Sequence, residues 1–219
     1  ARRRAGLILT ARGESALAGA ARELGTLTEV LALPGDVADP RHAARLVDEG
    51  LNRFGRIDVL INSASSIGPS PMPELDAYPL DRLAEVFAGN VIAPLHLIQL
   101  VLPQMRARGD GVIVNVSSDA AVEAYPGWGG YGASKAALEH LSRVLAAELV
   151  GSGVRVYAVD PGDMDTQMHR EAEPGVDLSH LPGPEVPARA FVRIITEERA
   201  PYARFEAQKL VAAGLGGVR

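Results

Sequence analysis

Cysteine is absent from this chain of 219 residues, which excludes disulfide bonds and thiolate metal sites. Basic residues are outnumbered by acidic ones, and the resulting net charge of −5 argues against a nucleic-acid surface. The basic run Arg2-Arg3-Arg4 is too short to change that expectation, and we interpret it as a solvated helix end.

Metal-binding spacings and long apolar runs are also missing. The five histidines are scattered without metal-ligand spacing, so no metal site is predicted. No apolar run approaches the roughly 20 residues that span a membrane, and no signal peptide is recognised. The sequence therefore predicts a soluble cytoplasmic protein with one domain over residues 1–219.

Short apolar runs alternate with longer amphipathic ones along the chain. Nearly continuous hydrophobic runs, such as residues 112–116, are typical of parallel strands that are covered on both faces. The alternation predicts a doubly wound, Rossmann-like α/β fold with a mostly parallel sheet between two helix layers. The predicted strands are residues 6–10, 27–33, 57–62, 111–117, 154–159 and, more weakly, 204–211. The predicted helices are residues 14–24, 40–54, 79–108, 131–150 and 185–197.

Three residues that carry a phenol, an ammonium and a hydroxyl lie close together in the middle of the chain. Tyr131 and Lys135 are one helical turn apart and share a helix face. Ser118 follows the strand at residues 111–117 and could hold a substrate oxygen. A cation near a phenol lowers its pKa from about 10, which makes the phenol a better proton shuttle. Alone, the Tyr-x-x-x-Lys spacing also fits an exposed pair on a helix; the strand and Ser118 favour a site.

An asparagine and a proline share the predicted helix at residues 79–108. Asn90 falls on its buried stripe, and Pro94 cannot donate a hydrogen bond to the Asn90 carbonyl four residues earlier. The freed carbonyl could hold a water molecule. A kinked helix with a structural asparagine is the alternative.

Together these motifs resemble the short-chain dehydrogenase/reductase family over almost the whole chain. The resemblance implies hydride transfer between a nicotinamide and a substrate, which interconverts a carbonyl and a secondary alcohol. It implies that Tyr131 is the general acid/base and that Lys135 lowers the Tyr131 pKa and holds the nicotinamide ribose. It also implies that Ser118 orients the substrate and that the Asn90 carbonyl holds a water in a proton relay.

The cofactor expected from this resemblance is NADP(H) in preference to NAD(H). Arg12 closely follows the first predicted strand, where an arginine offers charge and planar donors to a 2′-phosphate. A surface arginine would look the same. Asn62-Ser63-Ala64-Ser65 lies where the family usually shows Asn-Asn-Ala-Gly, which implies that Asn62 stabilises the sheet and that Ala64 adjoins the cofactor. Ser63 and Ser65 depart from that pattern.

Two further segments are expected to contact the cofactor. The resemblance implies that Asp36 and the backbone amide of Val37 contact the adenine, although a turn-forming aspartate would look similar. It implies that Pro161, Gly162 and Thr166 contact the nicotinamide carboxamide, although Asp-Pro-Gly-Asp is also a good turn.

One family feature is missing, namely the glycine-rich turn after a first strand. The glycines at residues 214–217 lie at the wrong end of the chain. In the family's strand order 3-2-1-4-5-6-7, a strand is missing between residues 6–10 and 57–62. We therefore expect a preceding segment of roughly 20–30 residues that carries the strand and the turn. Without that segment, nucleotide binding should be severely weakened.

The sequence indicates less about the substrate and the partners. The resemblance implies that residues 163–184 close over the substrate, although a surface excursion without function is the alternative. Tyr125, Trp128, Met164 and Met168 could line an apolar pocket or could be packing residues. The helices at residues 79–108 and 131–150 suggest a homodimer or homotetramer. The alternatives to a dehydrogenase are a catalytically silent dinucleotide sensor or interaction scaffold, and an isomerase or dehydratase.

Overall fold

A computed structural model of the protein describes residues 5–213, and it confirms the α/β fold with parallel sheets. The strands are β1 (Leu7–Ala11), β2 (Val30–Pro34), β3 (Val59–Asn62), β4 (Gly111–Val116), β5 (Val154–Asp160) and β6 (Tyr202–Glu206). The α-helices are α1 (Glu14–Gly25), α2 (Pro40–Phe54), α3 (Leu80–Phe87), α4 (Ala93–Arg108), α5 (Gly129–Glu148), α6 (Gln167–Ala172), α7 (Glu185–Glu197) and α8 (Ala207–Ala212). Short 3₁₀ turns lie at Leu75–Ala77 and Asp119–Ala121.

The strands form two parallel sheets, β1-β2 and β3-β4-β5-β6. Within residues 5–213, β1 and β3 are not paired with each other. Leu33 of β2 and Ile113 of β4 nevertheless belong to one buried apolar cluster. The strand expected between β1 and β3 stays a prediction, and the glycines at 214–217 lie outside the described residues.

The larger sheet is covered on both faces. In β4, Ile113 points toward the cluster that includes residues of α2, α4 and α5. Its neighbours Val112 and Val114 point the other way, toward Ala190 and Ile194 of α7. Since successive strand residues face opposite sides, the continuous apolar run is buried on both faces of the sheet. The sheet is therefore the middle of three layers.

One long helix, Leu80–Arg108, contains α3 and α4 joined by a π-helical turn at Ala88–Ile92. By length and composition it could cross a membrane, contrary to the expectation that no run approaches that length. Its residues Val86, Val101 and Met105 are buried in the protein, so it is a core helix. The wider π turn lets Ala93 N–H donate to the Ala88 carbonyl and accommodates Pro94, where a kink was the alternative expectation.

Two expectations near the carboxyl end were wrong. The weakly predicted strand at residues 204–211 is β6 only as far as Glu206, after which α8 begins. Strand β5 ends at Asp160, the partner of Glu206, so the chain beyond has no strand to pair with. The predicted irregular stretch at 163–184 contains α6, whose first turn is capped by the Thr166 hydroxyl.

Candidate active site

Three side chains expected at the site lie together at the carboxyl end of β4. Lys135 Nζ is 5.5 Å from the centroid of the Tyr131 ring, and both residues are buried on α5. Ser118 begins the 3₁₀ turn after β4, and its hydroxyl is close enough to the Tyr131 phenol to lower the phenol's pKa. The arrangement can hold one substrate oxygen and exchange a proton with it.

A glycine lets α5 approach the 3₁₀ turn this closely. A Cβ atom at Gly132 would lie only 2.6 Å from the Ala120 carbonyl oxygen, so any larger residue would push the helix away. Gly132 directly follows Tyr131, and Ala120 is two residues beyond Ser118. The absent side chain therefore allows the helix that carries Tyr131 to pack closely against the turn that Ser118 begins.

The pKa values of Tyr131 and Lys135 are both shifted in favour of the neutral forms. Burial raises the pKa of Tyr131 to about 12, with smaller contributions from the charges of Asp160 and Asp119. Burial lowers the pKa of Lys135 to about 8, while Nζ donates a hydrogen bond to the Val116 carbonyl at 2.8 Å. Burial thus outweighs any effect of the ammonium, and the expected lowering of the Tyr131 pKa is not seen.

Ser118 is oriented by its neighbour, a feature that the sequence interpretation missed. Its hydroxyl donates to Asp119 Oδ1 at 2.9 Å and accepts from Ala120 N–H at 3.2 Å. The Tyr125 hydroxyl donates to the other carboxylate oxygen of Asp119 at 2.9 Å. Burial raises the pKa of Asp119, but the hydrogen bonds from Ser118, Tyr125 and the backbone outweigh it, so the pKa is lowered. The carboxylate that accepts the hydrogen bond from the Ser118 hydroxyl is therefore charged at neutral pH.

Asn90 is fully buried in the π turn, and its side chain joins two elements. Its Nδ2 donates to the Ser66 carbonyl at 2.8 Å and to the Ser134 hydroxyl at 2.9 Å. Its Oδ1 accepts from Ser66 N–H at 2.8 Å and from the Ser65 hydroxyl at 3.2 Å. The amide thus connects the loop after β3 to the helix that carries Lys135.

The residues expected near the adenine lie after β1 and β2. Arg12 and Asp36 are exposed there, and Val37 is partly buried against the core. Asp36 Oδ1 accepts from Ala38 N–H at 2.9 Å, which is the turn-forming role left open as an alternative.

Asn62 lies buried at the end of β3. Its Nδ2 donates to Asn115 Oδ1 at 2.8 Å, so the two amides connect β3 to β4. Within the described residues, its Oδ1 is buried without a hydrogen-bond partner, which calls for a donor from outside them or from a bound group. Ala64 follows in the exposed loop.

The segment after β5 is shaped by a turn. Asp160 Oδ1 accepts from Gly162 N–H at 2.8 Å, and Gly162 has a φ of 75°, which disfavours larger residues. Pro161 and Thr166 are partly buried in the same stretch, and Thr166 caps α6.

These residues fit a nicotinamide dinucleotide. They follow the carboxyl ends of β1, β2, β3 and β5, where open α/β sheets bind ligands. At the adenine end, exposed Arg12 offers a guanidinium to a phosphate. At the buried end, the ammonium of Lys135 has three donors, of which the Val116 carbonyl takes one, so ribose hydroxyls can accept the others.

An apolar wall surrounds the Tyr131 ring. Ile67, Ala120 and Ala172 are buried against it, and Trp128 packs edge-on with its ring centroid 5.8 Å away. Met72 and Met168 pack against the same group. Met164, also suggested for a pocket, has its backbone carbonyl oxygen 3.1 Å from His169 Nδ1.

A buried charged group lies behind Ser118 and was also missed. It contains Glu139 on α5, Asp160 at the end of β5 and Arg204 on β6. Glu139 follows Lys135 by four residues on the same helix face, so its position was readable from the sequence. Arg204 was not readable, because only the pairing of β6 with β5 brings it there.

Comparisons with known proteins agree with this geometry. A family model described as short chain dehydrogenase matches residues 1–177. The 2-(R)-hydroxypropyl-CoM dehydrogenase of Xanthobacter autotrophicus is 38% identical over 140 residues, covering 64% of this chain and 56% of that protein. The 2,3-dihydro-2,3-dihydroxybenzoate dehydrogenase of Escherichia coli is 40% identical over 143 residues, covering 65% of this chain and 55% of that protein. The chain thus spans just over half the length of these two relatives.

The fold has a close structural counterpart. A crystal structure of a short-chain dehydrogenase from Streptomyces avermitilis superposes with a TM-score of 0.74 at 26% sequence identity. The match covers 93% of this chain and 81% of that one.

Proposed function

The chain belongs to the short-chain dehydrogenase/reductase family, and on that premise we propose that it interconverts a carbonyl and a secondary alcohol. The observation that carries the proposal is the meeting of Tyr131, Ser118 and Lys135 beside one apolar wall. A bound nicotinamide dinucleotide would supply or accept the hydride.

The chain's own residues hold the oxygen and move its proton. The Ser118 hydroxyl turns its single proton from Asp119 Oδ1 to the substrate oxygen, and Tyr131 gives that oxygen a proton as negative charge develops on it. With a pKa raised to about 12, Tyr131 is protonated at neutral pH and is ready to act as the acid in carbonyl reduction. Trp128 and Met168 exclude water from the ring.

We further propose that Lys135 and Asn90 return the proton. Lys135, with a pKa near 8, can change protonation close to neutral pH. The Asn90 carbonyl would hold the water that links Lys135 to solvent, because Pro94 has no N–H to offer that carbonyl. The side-chain hydrogen bonds of Asn90 hold its backbone in place for this role.

The proposed cofactor is NADP(H) in preference to NAD(H). Arg12 supports this preference, since it is exposed after β1, and no carboxylate within residues 5–213 forms an ion pair with it. Asp36 and Val37 are proposed to contact the adenine. The remaining proposed contacts are Asn62, Ala64, Tyr131, Lys135, Pro161, Gly162 and Thr166.

The proposed substrate is a small carbonyl compound or alcohol with an apolar group beside the reacting carbon. The apolar wall of Ile67, Trp128 and Met168 supports that choice. Both dehydrogenases named above are called after hydroxylated compounds, which agrees with an alcohol as the reduced form.

The wider organisation is also proposed. Residues 1–219 would act as one nucleotide-binding domain, since the two sheets share an apolar cluster. A homodimer or homotetramer would cover Ile92 and Val144, which are 62% and 42% exposed on the two longest helices. An additional strand between β1 and β3 would pair their free edges, and a cytoplasmic location remains a prediction.

The test is turnover by the full chain. NADPH and NADH oxidation would be followed with a panel of ketones and aldehydes. Tyr131→Phe should lower turnover by at least about 100-fold. Tyr157→Phe is the matched control, because Tyr157 lies on the face of the sheet opposite α5, and its buried hydroxyl has no hydrogen-bond partner within residues 5–213. Nucleotide binding with no turnover of any carbonyl would instead support the silent sensor, and equal turnover by Tyr131→Phe would remove the mechanism.

A further inference from the structure

Arg204 reaches three elements of the candidate site from a strand that carries none of its expected residues. Its Nε donates to Glu139 Oε1 on α5 at 2.8 Å. Its Nη2 lies 3.3 Å from the Ser118 carbonyl oxygen and 3.4 Å from Asp160 Oδ2. One planar side chain therefore contacts the helix of Tyr131, the turn of Ser118 and the end of β5.

Glu139 is the central acceptor of this group. Its side chain is only 2% exposed, and the Ser117 hydroxyl donates to the same Oε1 at 2.5 Å. Arg143, which is mostly exposed, approaches the other oxygen at 3.5 Å. A buried carboxylate is costly unless it is paired, so Glu139 depends on the partly buried Arg204 as its nearer cation.

Asp160 connects the same guanidinium to the turn after β5. Its side chain is 7% exposed, and its Oδ1 accepts from Gly162 N–H while Oδ2 faces Arg204. Glu206, 3.9 Å from Arg204 Nη1, adds a third carboxylate that is partly exposed. The group thus combines two buried carboxylates with one shared guanidinium.

We propose that Arg204 is a positioning residue for the Ser118–Tyr131 pair. By binding Glu139, the Ser118 carbonyl and Asp160 together, it holds α5 and the ends of β4 and β5 at one fixed separation. The expected effect on catalysis rests on the proposed function. The expected effect on the packing of α5 against β4 and β5 rests on the contacts alone.

The guanidinium is the group that this geometry needs. Its donors are spread over a rigid fork, so Nε and Nη2 serve acceptors on different elements at once. A lysine ammonium is a point charge on a flexible stem and cannot reproduce that spread. Arg204→Lys therefore keeps the positive charge but loses the forked geometry. Comparing it with Arg204→Met separates the effect of the charge from the effect of the geometry.

The first measurement is steady-state kinetics of the full chain. Arg204→Lys and Arg204→Met should lower kcat by about 30-fold or more, because misplacement by about 1 Å can cost about 100-fold. The KM for nucleotide should change by less than about threefold. Arg204 touches none of the residues expected to bind the nucleotide, and it reaches one of them, Gly162, only through Asp160. The matched control is Arg193→Met on α7, whose exposed ion pair with Glu197 lies away from the site.

The second measurement needs no turnover. Lysine occurs only at positions 135 and 209, so ¹³Cε-lysine NMR gives two signals, which Lys135→Met would assign. Burial alone lowers the Lys135 pKa in the unaltered chain. The charged groups on the elements around it are Glu139 on its own helix, Asp119 after β4, Asp160 on β5 and Arg204 on β6. Removing the guanidinium takes away the cation shared by Glu139 and Asp160, with only the longer contact from Arg143 remaining, and should raise the Lys135 titration midpoint above that of the unaltered chain.

A double variant guards against a failure to fold. Glu139→Gln combined with Arg204→Met removes both charges of this ion pair, and it should move the Lys135 midpoint back toward that of the unaltered chain while kcat stays low. Circular dichroism would establish folding of each variant. A folded Arg204→Met with unaltered kcat and an unaltered Lys135 midpoint would overturn the proposal. If the unaltered chain shows no turnover, the proposed function fails, and the Lys135 titration alone decides the role of Arg204.

Discussion

Lys135 Nζ lies 5.5 Å from the centre of the Tyr131 ring, and burial shifts the pKa values of the two residues in opposite senses. Tyr131 is a weaker acid than usual, and Lys135 loses its proton more easily than usual. Burial therefore disfavours the charged form of each side chain, as expected for a pair enclosed by apolar neighbours, although Lys135 is still mostly protonated at neutral pH. The pair forms a proton donor beside a base that titrates near pH 8.

The buried lysine should make stability depend on pH. Its pKa is near 8 when folded and near 10.5 when unfolded, so the unfolded chain binds more protons between these values. The free energy of unfolding should therefore rise between pH 8 and pH 10, by about 2 kcal/mol. Above pH 10 the raised pKa of Tyr131 acts in the opposite direction, because the unfolded tyrosine loses its proton first. Urea unfolding at several pH values would measure the rise. Lys135→Met should abolish it, whereas Lys209→Met, at an exposed position, should retain it.

Asp119 should raise the pH at which alcohol oxidation begins. Its charge is among the causes, after burial and Asp160, that raise the Tyr131 pKa, and oxidation requires the phenolate. Asp119→Asn should move the rising limb of the oxidation rate to lower pH by about half a unit to one unit. Asp48→Asn, on the exposed face of α2, is the control. An unmoved limb in Asp119→Asn would show that Asp119 does not influence Tyr131.

Gly132→Ala should destabilise the protein by about 1–3 kcal/mol, because the new Cβ would lie 2.6 Å from the Ala120 carbonyl oxygen. Gly19→Ala provides the contrast, since its Cβ would meet nothing within 4 Å in α1 and should stabilise by about 0.5–1 kcal/mol. Thermal unfolding measures both changes. Equal effects at the two positions would contradict a close contact at Gly132.

Arg12 should decide the choice of nucleotide. Arg12→Ala should raise the KM for NADPH at least about tenfold, because a charge-assisted contact to the 2′-phosphate is lost. The KM for NADH should change little, since NADH carries no phosphate there. Arg45→Ala, which breaks an exposed ion pair on α2, should alter neither value. Parallel rises for both nucleotides would assign Arg12 a general role.

The elements with strong periodicity were predictable, and those that depend on partners were not. Helices α2 and α7 begin and end where the pattern predicts, since Pro40 follows a capping aspartate and Gly55 ends α2 in a left-handed conformation. Strand β6 was misjudged beyond Glu206, because its length is set by β5. Helix α6 was missed within a stretch rich in prolines and glycines.

The candidate site divides in the same way. Ser118, Tyr131 and Lys135 were readable because strand ends and helical spacing place them by local geometry. The π turn at Asn90 was not readable, because a proline could equally have caused a kink. The direction of the Tyr131 pKa shift was also misjudged, since it depends on burial and on Asp160 and Asp119.

The sequence by itself determined the alternation of strands and helices as far as β5, the absence of thiolate chemistry and the shared helix face of Tyr131 and Lys135, because these follow from composition and short-range spacing. Only the tertiary structure decided that Arg204 lies behind Ser118 and that Tyr131 holds its proton tightly. Both depend on desolvation and on contacts between residues far apart in the chain, which no local pattern records.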